Sequence, residues 1–182
     1  MEMGLLMFPN PTGSANMARM VEGLGFRSLV FADTQCLTPE VWSQLMLAAS
    51  ATERIEIGTG VTNPVSRDPS VTASAALGLQ VASGGRAVLG IGRGDSSMAK
   101  IGRRPAPPDD FDLYLQRLRA YGLTDAMVLD NACRSTTKPR SSPRVGTIVT
   151  LSTDSASSPP TRPCARITCD VPKSKTVVVL CC

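Results

Sequence analysis

The stretch Val88–Met98, VLGIGRGDSSM, decides how the chain is read. It holds Arg93-Gly94-Asp95, the tripeptide of cell-adhesion ligands, together with Gly90, Gly92 and Gly94, spaced like a nucleotide-binding loop. Adhesion requires an exposed loop on a secreted protein. A dinucleotide fold requires G-x-G-x-x-G directly after its first strand. Here the spacing is G-x-G-x-G, it follows what reads as the fourth strand, and the first strand runs into Pro9-Asn10-Pro11 instead.

Working outward, Met3–Phe8 is a short apolar run suited to a strand. A helix follows, with Ser14 as its cap, Met17, Met20, Val21 and Leu24 on its apolar face, and Gly25 at its end. Arg27–Asp33 is a buried strand that ends in a carboxylate. Thr38-Pro39-Glu40 opens a second helix by a cap and an N-terminal proline, with Val41, Leu45, Ala48, Ala49 and Ala51 inward. Ile55–Val61 is the third strand, and Asn63-Pro64 and Asp68-Pro69 bracket a loop. Ser70 can cap a third helix running to about Ala82, where Gly84-Gly85 stop it, and Arg86–Gly92 is the fourth strand. Phe111, Leu113, Tyr114, Leu115, Leu118 and Tyr121 predict a last helix from about Asp110 to Tyr121.

Strand starts recur roughly every 24 to 32 residues with a helix between each pair, the period of βα units in a parallel sheet with right-handed crossovers. The doubly wound sheet and the (βα)8 barrel share this rhythm, and glycines after the fourth strand favour the barrel. GIGRGDSS is then the C-terminal end of a parallel strand and its βα loop, the rim where barrel enzymes place their chemistry. Small glycines admit a flat ligand to the backbone, Arg93 offers a cation, and Asp95 or Ser96 can cap the next segment. The plainer alternatives are a surface ion pair for Arg93 and Asp95, and a loop cap for Asp33.

Composition narrows the chemistry. The 182 residues suffice for one domain with a core, and aromatics at 4% leave that core to Ala, Val, Leu, Ile and Met. Met17, Met20, Met46 and Met98 read as core filler. The net charge of +4 is scattered and lacks interleaved aromatics, so no nucleic-acid partner is expected. No apolar run reaches the ~20 residues of a membrane span, and no basic segment precedes an apolar N-terminus. The expectation is a cytoplasmic chain with no membrane partner. The absence of histidine removes Ser-His-Asp triads, Cys-His nucleophiles and nearly all catalytic zinc, so no metal site is expected and a cofactor must carry any hard step.

Beyond about Gly122 the text changes. Arg134–Cys164 is rich in Ser, Thr, Pro and Arg without period, a composition unable to bury a core. Cys133, Cys164, Cys169, Cys181 and Cys182 fall in this tail and Cys36 alone precedes it; their spacing matches no usual zinc pattern. Residues 1–122 are thus read as the organised domain and 123–182 as an irregular, disordered tail, such as a frame change or misjoined exon produces.

The segments Gly25–Asp33, GFRSLVFAD, and Ala48–Ser74, AASATERIEIGTGVTNPVSRDPSVTAS, are joined by Gly84–Ser97, GGRAVLGIGRGDSS, and Leu115–Tyr121, LQRLRAY. Together they resemble the luciferase-like monooxygenase superfamily, in particular its flavin- or deazaflavin-dependent oxidoreductases similar to methylenetetrahydromethanopterin reductase. The resemblance implies a (βα)8 TIM barrel whose mouth binds FMN or 8-hydroxy-5-deazaflavin (coenzyme F420). The reduced cofactor would serve hydride transfer or oxygen activation on a small organic substrate. It implies a non-prolyl cis peptide at Gly60–Val61. By position it assigns Asp33 and Asp95 to catalysis, and Gly60, Val61, Thr62, Asn63, Gly92, Arg93 and Gly94 to cofactor binding. Many relatives carry a histidine just after the strand-2 carboxylate, where this chain has Thr34-Gln35. A full barrel needs about 250 residues, and only the first four βα units match. The alternative is therefore a truncated, inactive half barrel that associates, as a homo-oligomer, through sheet edges exposed before strand 1 and after strand 4. Such a chain is expected to bind cofactor weakly or not at all.

Overall fold

The computed structural model describes residues 2–124, 127–130 and 176–180. Strands and helices alternate as β1 (Glu2–Met7), α1 (Ser14–Gly23), β2 (Ser28–Phe31), α2 (Val41–Ser50), β3 (Glu56–Thr62), α3 (Pro69–Ala82) and β4 (Ala87–Ile91). A short α4 (Asp95–Lys100) and α5 (Pro108–Ala120) follow, then β5 (Val128–Asp130) and β6 (Thr176–Leu180). The strands form one sheet in the order β5-β4-β3-β2-β1-β6, with every pair parallel. The first four strands lie side by side in chain order, the arrangement of a half barrel.

Register assigns the two faces of the sheet. Leu5 pairs Leu29, Leu29 pairs Ile57 and Ile57 pairs Ala87, so these residues share one side with Phe31 and Leu89. All are buried, and they join Ala18, Val21, Leu45, Ala48, Ala73, Ala76 and Leu118 of the helices in the core. Alanine at so many helix positions lets the helices lie close against the strands. The other face carries Gly4, Leu6, Val30, Gly58, Gly60, Val88 and Gly90. Gly58 and Gly90 are required by close approach: a Cβ would stand 1.7 Å from Val88 O at Gly58, and 2.2 Å from Thr59 O at Gly90. The β3–β4 register shifts between Thr59 and Thr62, a β-bulge at the end of β3.

The N-terminal rim is latched by two side chains. Arg86 donates through Nη1 to Ile55 O at 2.6 Å, through Nε to Ser83 O at 2.7 Å and through Nη2 to Thr52 O at 2.9 Å. It thereby ties the end of α3 to the α2–β3 turn. Glu22, near the end of α1, accepts the backbone N–H groups of Glu53, Arg54 and Ile55 at 3.0, 2.6 and 3.0 Å. Burial pushes its carboxyl up, but those three donors and the Arg54 charge outweigh it and hold the group below its ordinary value.

Several local expectations are corrected. Helix α2 is capped by Glu40, which accepts from Trp42 N and Ser43 N, and α3 by Asp68, which accepts from Ser70 N. Glu40 satisfies two N–H groups of the first turn, which Thr38 does not, and Asp68, equal in rank to Ser70 as a cap, satisfies the Ser70 N–H itself. Ser14 begins α1 without capping it; its hydroxyl instead donates to Asn10 O and accepts from Asn10 N. Met20 and Leu24 are 57% and 69% exposed because α1 turns Ser14, Ala18 and Val21 inward. Met46 is exposed as well, whereas Met98 is fully buried. In α5, Phe111, Tyr114, Leu115 and Leu118 are buried, while Leu113 and Tyr121 face outward. Short pieces of the chain after Gly122 are described as well. Leu123 and Met127 are buried, β5 pairs with β4, and β6, drawn from the apolar C-terminal run, pairs with β1. The edges expected to be open before strand 1 and after strand 4 are thus occupied. The Pro- and Ser-rich stretch and the cysteines after Cys36 lie outside the described residues. Among the described residues no helix is long and apolar enough to cross a membrane.

Candidate active site at the C-terminal rim

Parallel strands bring all their C-terminal ends to one rim, and the loops leaving them enclose a cavity of about 430 Å³. All nine residues singled out from the sequence line it. Asp33 stands just beyond β2. Gly60, Val61 and Thr62 end β3, with Asn63 next. Gly92, Arg93, Gly94 and Asp95 lead from β4 into α4. The Gly60–Val61 peptide is cis.

Asp33 is buried at 6% exposure, and each of its oxygens is used. The Thr62 hydroxyl donates to Oδ2 at 2.6 Å and Gln35 Nε2 donates to Oδ1 at 2.9 Å. Burial raises its carboxyl above the ordinary range; the Thr62 bond and the Arg67 charge pull the other way, and Glu40 adds to the rise. Arg67 and Glu40 are themselves ion-paired. Asp33 is therefore a held, desolvated acid within the cavity wall rather than a loop cap.

Asn63 is fully buried. Its Oδ1 accepts from Val65 N and Ser66 N, fixing the loop after β3, and its Nδ2 is a buried donor without a partner among the described residues. Arg93 donates from Nε to Ala106 O at 2.8 Å, and Ala106 N donates back to Arg93 O at 3.0 Å. This two-way link holds the guanidinium at the cavity, while no Arg93–Asp95 ion pair forms among the described residues. Gly94, at φ 91°, is the N-cap of α4; Asp95 lies in the first turn, so neither Asp95 nor Ser96 caps it. A Cβ at Gly94 would meet Met98 Cγ at 2.9 Å and Asn63 Cβ at 3.0 Å, so that glycine fits both its backbone angle and its neighbours.

Sequence reasoning missed Leu6, Met7 and Phe8, which bring the end of β1 into the wall, and Ser96 and Ser97 of α4. Their signal was available, since β1 ends on the same rim. Cys36, exposed and at φ 62°, is not part of the wall.

Fold and rim together define a parallel βα-barrel chain with a ligand-sized cavity at its strand C-termini. The model of the luciferase-like monooxygenase family matches residues 7–123, more than half of the chain. The chain belongs to the luciferase-like monooxygenase family. It is 40% identical over 83 residues to the 5,10-methylenetetrahydromethanopterin reductase of Methanolobus tindarius, a match covering 46% of this chain and 25% of that one. Among solved structures it resembles the coenzyme F420-dependent tetrahydromethanopterin reductase of Methanopyrus kandleri, with a TM-score of 0.56 and 28% identity over 65% of this chain and 38% of that one. A type II Baeyer-Villiger monooxygenase of Pseudomonas putida, solved in complex with FMN, shares the fold at a TM-score of 0.54 and 21% identity, over 65% of this chain and 38% of that one. The matches thus span well under half the length of these relatives.

Proposed function

We propose that the cavity is the ring site of a flavin- or deazaflavin-dependent oxidoreductase, taking FMN or coenzyme F420 beside a small organic substrate. The observation that carries this reading is the convergence of Asp33, Gly60–Asn63 and Gly92–Asp95 on one cavity. Its volume of about 430 Å³ falls within the ~300–1,000 Å³ usual for small-molecule sites. The residues fit such a group. The Gly60–Val61 and Gly92 backbone supplies a wall with few side chains, Asn63 Nδ2 is a donor without a partner, and Arg93 is an anchored cation for an anionic edge or phosphate. When bound, the cofactor would supply hydride transfer or, as a reduced flavin, oxygen activation. The chain's own part is to back the ring with β3, shield one face from water, and present Asp33 and Asp95 to the reacting pair.

The second reading, a half barrel that holds a ring poorly and acts as an association partner, is supported by the open order of the described sheet, which ends in β5 and β6. Barrel enzymes usually cradle the phosphate after strands 7 and 8. Charge-assisted hydrogen bonds there are worth about 1.5–3 kcal/mol each, so without them affinity falls by orders of magnitude. Fluorescence titration with FMN and with coenzyme F420 tests both readings. Saturable binding weaker than about 1 μM, further weakened by Arg93→Met, is expected. No saturable binding of either would overturn the cofactor reading, and sub-micromolar binding would overturn the second.

A further inference from the structure

We infer that Lys100, Arg103 and Arg104 form a basic shelf beside the cavity that binds the carboxylates of a ligand's trailing chain, so that the site prefers coenzyme F420 to FMN. The inference rests on the cavity being the ring site and chooses between the two cofactors proposed for it. From Arg93 to Pro107 the chain holds four cations, Arg93, Lys100, Arg103 and Arg104, and one carboxylate, Asp95. That net +3 in fifteen residues is the greater part of the +4 carried by all 182. Lys100, Arg103 and Arg104 are exposed, and among the described residues none of the three forms an ion pair. Like charges gathered this closely repel one another and raise the local concentration of anions.

Hydrogen bonds hold this segment against the rim. Helix α4 starts in the cavity wall with Asp95, Ser96 and Ser97, and its six residues span about 9 Å, which keeps Lys100 near the mouth. Arg103 N donates to Met98 O at 2.9 Å and Arg103 Nη1 to Val65 O at 3.2 Å, tying the turn after α4 to the loop after β3. The chain then returns to the wall through the two-way link between Ala106 and Arg93. The acidic Asp109 and Asp110 come after Pro107-Pro108, in the first turn of α5. FMN ends in one phosphate, which Arg93 can take. Coenzyme F420 continues past its phosphate into linked glutamates, and their carboxylates need cations outside the cavity. Two such residues reach about 7 Å when extended, a length comparable to α4.

Three fluorescent probes of increasing charge test the shelf on the full chain: 8-hydroxy-5-deazariboflavin, which has neither phosphate nor glutamates, then FMN, then coenzyme F420. Coenzyme F420 should bind tightest, and its affinity should fall most as salt is raised, because exposed charges are screened. Lys100→Gln combined with Arg104→Gln leaves the Arg103 anchor in place. It should weaken coenzyme F420 by about fivefold, as two exposed ion pairs imply, and shift the other two probes by less than about twofold. Lys100→Arg with Arg104→Lys, which keeps both charges, should bind as the native chain does. Retained binding of the phosphate-free probe shows that a variant is folded; if the double variant loses it, the single substitutions are read instead. Equal losses for all three probes, no loss for coenzyme F420, or FMN binding as tightly as coenzyme F420 overturns the shelf and leaves the cofactor reading standing. Failure of all three probes on the native chain overturns the ring-site reading and the shelf together.

Discussion

Replacing Arg86 by methionine, which keeps the length of the stem and removes the guanidinium, should destabilise the fold without touching the mouth of the half barrel. Three of its bonds are short: 2.6 Å to Ile55 O, 2.7 Å to Ser83 O and 2.9 Å to Thr52 O. Those to Thr52 Oγ1 at 3.2 Å and Ala49 O at 3.3 Å add less. Counting the short three at about 1–1.5 kcal/mol each gives a loss of about 3–4.5 kcal/mol. In urea, with a slope of about 2 kcal/mol per molar, the midpoint should fall by about 2 M with the slope unchanged. Arg86→Lys should recover only part, because one ammonium cannot reach carbonyls on both sides of the α2–β3 turn. A loss below about 1 kcal/mol would refute the latch, since three desolvated carbonyls left without their donor must cost more than that.

Other outcomes follow from single contacts. Gly90→Ala would set a Cβ 2.2 Å from Thr59 O, and separating β3 from β4 should cost about 1–3 kcal/mol or more in a denaturant titration. Thr72→Val would leave the buried Tyr114 hydroxyl without its 2.6 Å partner, lowering stability by about 1–3 kcal/mol, whereas Tyr114→Phe combined with Thr72→Val should recover much of that loss. Glu22 is depressed in the folded state, so its contribution is present above its ordinary value of 4.5 and disappears as pH falls through the lower folded value. The urea midpoints of the native chain and Glu22→Gln should accordingly differ at neutral pH and converge in acid.

The βα rhythm was legible because each strand and helix carried its own period and punctuation, and the glycines after β4 chose the barrel. That the candidate site residues share one cavity was legible by position, since a parallel sheet must gather its strand ends on one rim. The caps were misread because Glu40 and Asp68 rank against Thr38 and Ser70 only through the geometry of the preceding loop. The exposure of Met20 and Leu24 escaped for a related reason: which stripe of α1 faces the sheet depends on the angle at which Pro9–Gly13 delivers it. Gln35 was noticed only as a departure from histidine. Its bond to Asp33 joins residues two apart across a turn, and no periodicity reports that. Strand β6 was missed because partnership with β1, across the whole chain, leaves no mark in local composition.

The glycine wall of the cavity also sets how the site can be reshaped. At Gly60 a methyl group would stand 2.5 Å from Val30 Cγ2 and 2.9 Å from Leu6 Cδ1, and at Gly94 the backbone angle itself rejects one. At Gly92 the nearest atom to an added Cβ is Val61 Cγ2, at 3.1 Å, the tip of a side chain that can yield by a few tenths of an ångström. Of these three cavity-lining glycines, only Gly92 can take a side chain at the cost of a small neighbouring shift. Where β3 and β4 meet the cavity, no side chain can be trimmed from a glycine to enlarge it. A search for altered ligand preference therefore has a direction built in: this flank of the slot can be narrowed one methyl group at a time from position 92, and a wider slot must come from trimming side chains, Val61 beside these glycines or Leu6, Met7 and Phe8 at the end of β1.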